Sequence, residues 1–239
     1  MIQESKKFVS YIESRIQDNK NLYSRFHLGP FVAGQGLTIG NAIRRTLLSE
    51  IPAFIITDIE VGGANHEFAI LPGIHETILN IILNLKKIVL FSPSLNIFDP
   101  QKKLFSAYLN IAGPKIVTSK DIKFPPELAP LNPSEYITTL NANAQLKIKL
   151  TIEHIDPINF QNKPKDATYS EQLSLNNTPK PIKQVNFGLH SMGIDSDTEY
   201  ISLEIWTDGS ISPKEALSYS LEKLTRIFYD FSLNLVLSG

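Results

Sequence analysis

Cysteine is absent from all 239 residues. That excludes disulfides, thiolate metal sites and thiol redox chemistry, and it fits a reducing compartment. Arginine is scarce, at positions 15, 25, 44, 45 and 226 only. Long apolar runs are lacking too: the longest, such as Ile78 to Leu83 and Phe231 to Leu237, are interrupted by Asn or Ser and fall well short of a membrane span. Met1 to Lys20 holds Glu4, Glu13 and Asp18 and no continuous apolar core, unlike a transit or signal peptide. Neither sign of charge dominates, since 23 basic residues face 24 acidic ones for a net charge of -1. No global positive field therefore draws the chain to nucleic acid or to an anionic membrane.

Catalytic signatures are equally scarce. His27, His66, His75, His154 and His190 are scattered, and neither His66-Glu67 nor His75-Glu76 is followed by a second histidine four positions after the first, so a helical zinc site is excluded. There is no glycine-lysine phosphate loop and no serine nucleophile elbow. Acidic residues are dispersed, without the Asp-x-Asp cluster that holds magnesium for phosphoryl or nucleotidyl transfer. We expect no active site, cofactor or metal in this chain.

What is present is an ordinary globular composition, 42% apolar and 20% charged, enough for one large domain or two modest ones. Asn, Ile and Lys are plentiful, as in proteins of AT-rich genomes. Gly34, Gly36 and Gly40 are read as a bend. Ile39, Ala42, Ile43, Thr46, Leu47 and Ile51 then recur at threes and fours, the apolar face of a helix closed by Pro52. Its opposite face carries Asn41, Arg44, Arg45 and Glu50. An exposed arginine pair is ordinarily a solvated face. In a chain that otherwise uses lysine for surface charge, the planar guanidinium forks also suit an interfacial carboxylate.

Glycines 34, 36 and 40, with Asp58 and Glu60 about twenty residues on, also imitate a dinucleotide-binding unit. The third glycine is one place late, Pro30 interrupts the preceding segment, and no alternation of strands and helices follows. A dinucleotide-binding oxidoreductase is the alternative function, and a plain helix-initiating turn the simpler reading.

Along the chain, residues 1 to 25 read as a polar arm with a faint helical stripe at Val9, Ile12 and Ile16. Phe26 to Ala33 reads as a strand in which Pro30 marks an edge or a bulge. Ala53 to Val61 alternates Ile55, Thr57, Ile59 and Val61 against Ile56, Asp58 and Glu60, as a strand does. From Glu76 a second amphipathic helix, with Ile78, Ile81, Ile82, Leu85 and Ile88 on one side, is expected to end near Leu90; Lys86 and Lys87 read physically as solvated. Pro93 to Pro100 is loop. Leu104 to Ala112, Tyr136 to Leu140 and Leu146 to Glu153 are strands, and residues 154 to 181 are a long irregular segment. Strand patterning returns at Val185, Phe187 and Leu189 and at Ile201, Leu203 and Ile205.

The last helix is strongly signalled. Ser212 is an N-cap, Pro213 takes the first helical position, and Glu215 completes a capping box. Leu217, Leu221, Leu224, Phe228, Phe231 and Leu235 follow at heptad spacing, and such a seam needs a partner helix.

Leu37-Thr38-Ile39-Gly40-Asn41-Ala42-Ile43-Arg44-Arg45-Thr46-Leu47-Leu48-Ser49, then His66-Glu67-Phe68, then Gly73-Ile74 through Asn84-Leu85-Lys86, resemble the alpha subunit of bacterial-type multisubunit RNA polymerase. Leu203 to Leu217 resembles that family's final strand and helix, and Pro30-Phe31 with Gly34-Gln35 lean towards its plastid-encoded branch. The resemblance implies an α+β fold in two subdomains. Residues 1–52 and 182–239 would form a dimerisation subdomain of mixed sheet plus two long helices, and 53–181 an inserted strand-rich subdomain. It implies a non-catalytic homodimer in the plastid stroma, or otherwise the bacterial cytoplasm, on which the beta and beta-prime subunits assemble, meeting DNA only through the complex. Contacts to those subunits carry over to Arg44, Arg45, Leu48 and Lys86. The dimer seam carries over to Ile39, Ile43 and Leu47 of the first helix and to Leu217, Leu221, Leu224, Phe228, Phe231 and Leu235 of the last. The chain stops at Gly239, where longer members continue into a DNA-binding domain, so none is expected here.

Overall fold

The structure, a computed structural model, describes residues 6–17, 20–64, 66–93, 103–157, 172–175, 177–193 and 197–237. Among them it is a mixed α+β fold of three α-helices and antiparallel sheets. Two compact units divide the chain: Met1–Ile51 with Lys180–Gly239, and Pro52–Pro179.

The first unit holds a sheet ordered β1-β2-β12-β11, formed by β1 (Phe8–Gln17), β2 (Asn21–Val32), β11 (Ile182–Ser191) and β12 (Thr198–Thr207). The polar arm expected at the N-terminus is thus largely strand. A register shift between Tyr11 and Glu13 inserts an extra residue into β1, which gives Val9 and Ile12 a separation of three that mimics a helix. Pro30 sits where the β2–β12 register shifts, one residue beyond the last β1 pairing at Gly29, so its missing N–H interrupts no ladder. Ile201, Leu203 and Ile205 are fully buried, as their alternation predicts.

Helix α1 (Gln35–Glu50) lies against β11, β12 and α3 (Pro213–Leu237). Of its three glycines only Gly34 makes the bend, at φ 89°. Gly36 and Gly40 are helical and buried, because a Cβ at Gly40 would meet the Phe187 ring at 2.6 Å and one at Gly36 would meet Leu189 at 2.7 Å. Helix α3 starts as its sequence dictates. Asp208 Oδ1 accepts from Ser210 N in the preceding turn (2.9 Å), Glu215 N donates to Ser212 Oγ (3.2 Å), and Ser212 N donates back to Glu215 Oε2 (3.2 Å).

The second unit is built on a sheet ordered β10-β3-β9-β5, from β3 (Ala53–Val61), β5 (Leu104–Ala112), β9 (Gln145–Ile155) and β10 (Gln172–Ser174). The simple alternation expected for β3 fails at Thr57. A bulge between Ile56 and Asp58 switches faces, so Phe54 and Ile56 share the main core with Ile59 and Val61, while Ile55 packs with Ala53 and Ile155. Residues 172–174 are strand within a stretch read as irregular; residues 158–171 of that stretch lie outside the described residues, as does most of the loop expected at Pro93 to Pro100.

Helix α2 (Ile78–Leu85) buries Ile78, Ile81, Ile82 and Leu85 but ends five residues before Leu90. The chain leaves it because Asn132 captures the next turn: its Oδ1 accepts from Val89 N (3.2 Å) and its Nδ2 donates to the Lys87 carbonyl (3.2 Å). Leu90 then starts β4 (Leu90–Phe91), which pairs with β7 (Ala129–Pro130). A further small sheet pairs β6 (Lys115–Thr118) with β8 (Tyr136–Leu140).

Candidate assembly interface

Helix α1 has two unlike sides. Ile43, Thr46 and Leu47 are buried within the chain, and Ile39 and Ala42 are half-buried. The other side exposes Leu37, Asn41, Arg44, Arg45 and Leu48, a stripe at intervals of four, three, one and three. Among the described residues neither arginine has an ion pair or a side-chain hydrogen bond within the chain, so both guanidinium groups are presented outward between Leu37 and Leu48. Such a pair offers planar forks for carboxylates with apolar contact at either end. Glu50, placed with the arginines on sequence grounds, turns instead towards α3, 3.9 Å from Lys223 Nζ. Leu37 was not singled out by sequence, although its spacing from Asn41 and Arg44 was the available signal.

Lys86 belongs to the second unit, at the C-cap of α2, where its backbone N–H bonds to Ile82 and Asn84 carbonyls and its side chain is half-buried. Neighbouring Lys87 is exposed and donates to Asn84 Oδ1 at 3.0 Å.

The heptad seam divides along its length. Leu217 is buried in the protomer and Leu221 and Leu224 are half-buried. Phe228, Phe231 and Leu235 are 66%, 65% and 76% exposed, and Ile227, Tyr229 and Leu233 beside them are exposed as well. Ile43, Leu47 and Leu217, which the resemblance places at the dimer seam, are buried within the single chain. Among the heptad positions of α3, the exposed ones are thus Phe228, Phe231 and Leu235.

The glycine turn before α1 is already filled. Glu199 Oε1, from β12, accepts from Gly34 N (3.0 Å) and Gly36 N (2.8 Å), so a carboxylate of the same chain occupies the place a dinucleotide pyrophosphate would take at a helix N-terminus. Every strand pair among the described residues is antiparallel, which is not the sheet of a doubly wound nucleotide fold. Glu199 gave no sequence signal, since it lies 163 residues from Gly36.

Comparison with known proteins agrees. Residues 58–155 match the family described as the RNA polymerase Rpb3/RpoA insert domain. A DNA-directed RNA polymerase subunit alpha of Chlorella vulgaris is 35% identical, with 97% of this chain and 98% of that protein aligned. Subunits of the same name from a Synechococcus strain and from Mesostigma viride are 35% and 39% identical, over 92% and 91% of this chain and 70% and 67% of theirs. The chain accordingly belongs to the family of the DNA-directed RNA polymerase alpha subunit, a component of a multisubunit transcribing enzyme.

Proposed function

We propose that two copies of this chain pair through the exposed end of α3 and that the pair is the non-catalytic platform on which the beta and beta-prime type subunits assemble. The observation that carries this reading is the apolar end of α3, where Phe228 and Phe231 stand about two-thirds exposed at heptad spacing. Covering each such side chain stabilises by roughly 1.5–3 kcal/mol, and a symmetric partner covers both copies at once. Arg44, Arg45 and Leu48, with Lys86 on the second unit, are the proposed contacts to the large subunits. The relatives in Chlorella vulgaris and Mesostigma viride, together with the Asn, Ile and Lys bias, support a plastid location, and those in Synechococcus a bacterial one.

Sedimentation of the wild-type chain and of a Phe228→Ser, Phe231→Ser double variant tests the pairing. The wild type is expected to be a dimer with an interface above roughly 1,000 Å², and the double variant a folded monomer. A stable, folded wild-type monomer at micromolar concentration overturns the proposal.

A further inference from the structure

A cleft of about 610 Å³ lies in the second unit, over the β3-β9-β5 sheet. Its floor follows from the strand period. Val61, Ile148 and Leu109 point into the core, so their alternates point to solvent. In one cross-strand row stand Glu60, Lys149 and Tyr108, and Lys123 is joined to Tyr108 by a pair of backbone hydrogen bonds (3.1 and 2.8 Å). The next row holds Lys147 and Asn110. The Gly62-Gly63 turn forms a wall with no side chain to fill the space above Lys147.

The charge there is lopsided. Three lysines line the cleft against one glutamate, in a chain whose net charge is -1. Glu60 is engaged by Lys149, 2.9 Å from its Nζ. Lys147 and Lys123 are exposed and, among the described residues, form no ion pair, which leaves two uncompensated ammonium groups flanking the Asn110 amide.

From this arrangement we propose that the cleft binds an extended acidic segment of a partner polypeptide. Its carboxylates meet Lys147 and Lys123, and its backbone or a hydroxyl meets Asn110. Lys123, paired with Tyr108, and Lys147, paired with Asn110, stand one row apart along the strands, about 7 Å, and two strand widths apart across the sheet, roughly 9–10 Å. Acidic residues two or four apart on an extended peptide crossing the rows obliquely therefore reach both. Nucleic acid fits less well. The cleft has no arginine, a single tyrosine on which a base could stack, and a carboxylate in the same row, whereas binding through phosphates relies on many cationic contacts. The cleft involves neither α1 nor α3, so the proposal stands or falls independently of the dimer.

The test is fluorescence anisotropy on the full chain with a labelled peptide of alternating glutamate and threonine. An alternating lysine–threonine peptide and a single-stranded oligothymidine of equal charge are run alongside. Saturable binding of the acidic peptide, weakened at least about tenfold by Lys147→Glu with Lys123→Glu, is expected. The exposed Lys214→Glu on α3, which reverses a charge elsewhere, should leave it nearly unchanged. Lys147→Gln with Lys123→Gln replaces the reversal if that variant does not fold, and should also weaken binding. Three results overturn the proposal: no saturation, equal binding by the cleft variants and Lys214→Glu, or tighter binding of the oligothymidine than of the peptide.

Discussion

Glu199→Ala is expected to loosen α1 from the sheet that carries it. The helix has no side-chain cap of its own: its N-cap is Gly34 and its first turn contains no acidic residue. Glu199 Oε1 takes on that role from β12 by accepting from the Gly34 and Gly36 amides. Loss of an N-cap acceptor costs about 0.5–2 kcal/mol, and loss of a carboxylate at a helix N-terminus adds roughly 0.3–1 kcal/mol. With the Gly36 bond half-buried and the Gly34 bond exposed, about 1.5 kcal/mol is the expected sum after solvent screening. The assay is urea unfolding at fixed protein concentration, followed through Trp206. This is the chain's one tryptophan, on β12, with its ring 4.9 Å from that of Tyr23, so its emission reports on the first unit. Glu199→Gln keeps an acceptor without the charge and should fall between wild type and Glu199→Ala. A loss below about 0.5 kcal/mol for Glu199→Ala, the range of surface changes that touch nothing, refutes the argument.

Other perturbations follow from the same contacts. Gly40→Ala gains about 1 kcal/mol of helix propensity but forces the Phe187 ring away from a 2.6 Å approach at an overpacking cost of roughly 1–3 kcal/mol, so a net loss of up to about 2 kcal/mol is expected in the Trp206 assay, and stabilisation would contradict it. Burial raises the pKa of Glu76, but hydrogen bonds from Thr138 Oγ1 (2.6 Å), Tyr136 and Thr139 N (2.9 Å) outweigh it and hold the carboxyl below the ordinary glutamate range. A depressed carboxyl stabilises above its unfolded-state pKa and loses that contribution as pH falls through the folded one. Glu76→Gln should therefore cost about 1 kcal/mol at pH 7 and progressively less below pH ~4 by thermal melts, while a pH-independent difference would argue against the carboxylate. Arg45→Ala should leave the oligomeric state intact and weaken capture of the beta subunit by about 2–5 kcal/mol where the guanidinium is desolvated. Equal capture of beta by wild type and variant in a pull-down rejects that role.

The signals legible in the sequence were local. The start of α3 is a capping box whose partners stand three residues apart, and its hydrogen bonds form as spelled out. Arg45 faces outward for the same reason, since the helical period alone puts it opposite Ile43 and Leu47, and Arg44 lies on the flank beside it, exposed as well. What stayed hidden depends on residues far away in the chain. Gly36 and Gly40 look like turn formers until β11 is placed beneath them. β1 reads as a helical arm because its bulge shifts the apolar spacing, and α2 stops early because Asn132, some 45 residues on, takes the Lys87 carbonyl. No local window contains Phe187, Leu189 or Asn132, and the β1 bulge shows only once β1 is laid against β2.

The glycines that pin α1 also bear on the surface it presents. At Gly40 and Gly36 the helix approaches β11 so closely that there is no room for a Cβ, and at its start the Glu199 carboxylate holds two of its amides. Its far end is drawn to α3 by Lys223 and Glu50. A helix fixed at both ends and along one side has little freedom to roll, so the backbone that carries Leu37, Arg44, Arg45 and Leu48 is set in one orientation for the proposed partners. Preorganisation of this kind lowers the ordering cost of association. In the proposed assembly the inner face of α1 serves the outer one, and a substitution at Gly40, packed against Phe187, should weaken capture of beta at Arg45 through the tilt of the helix between them.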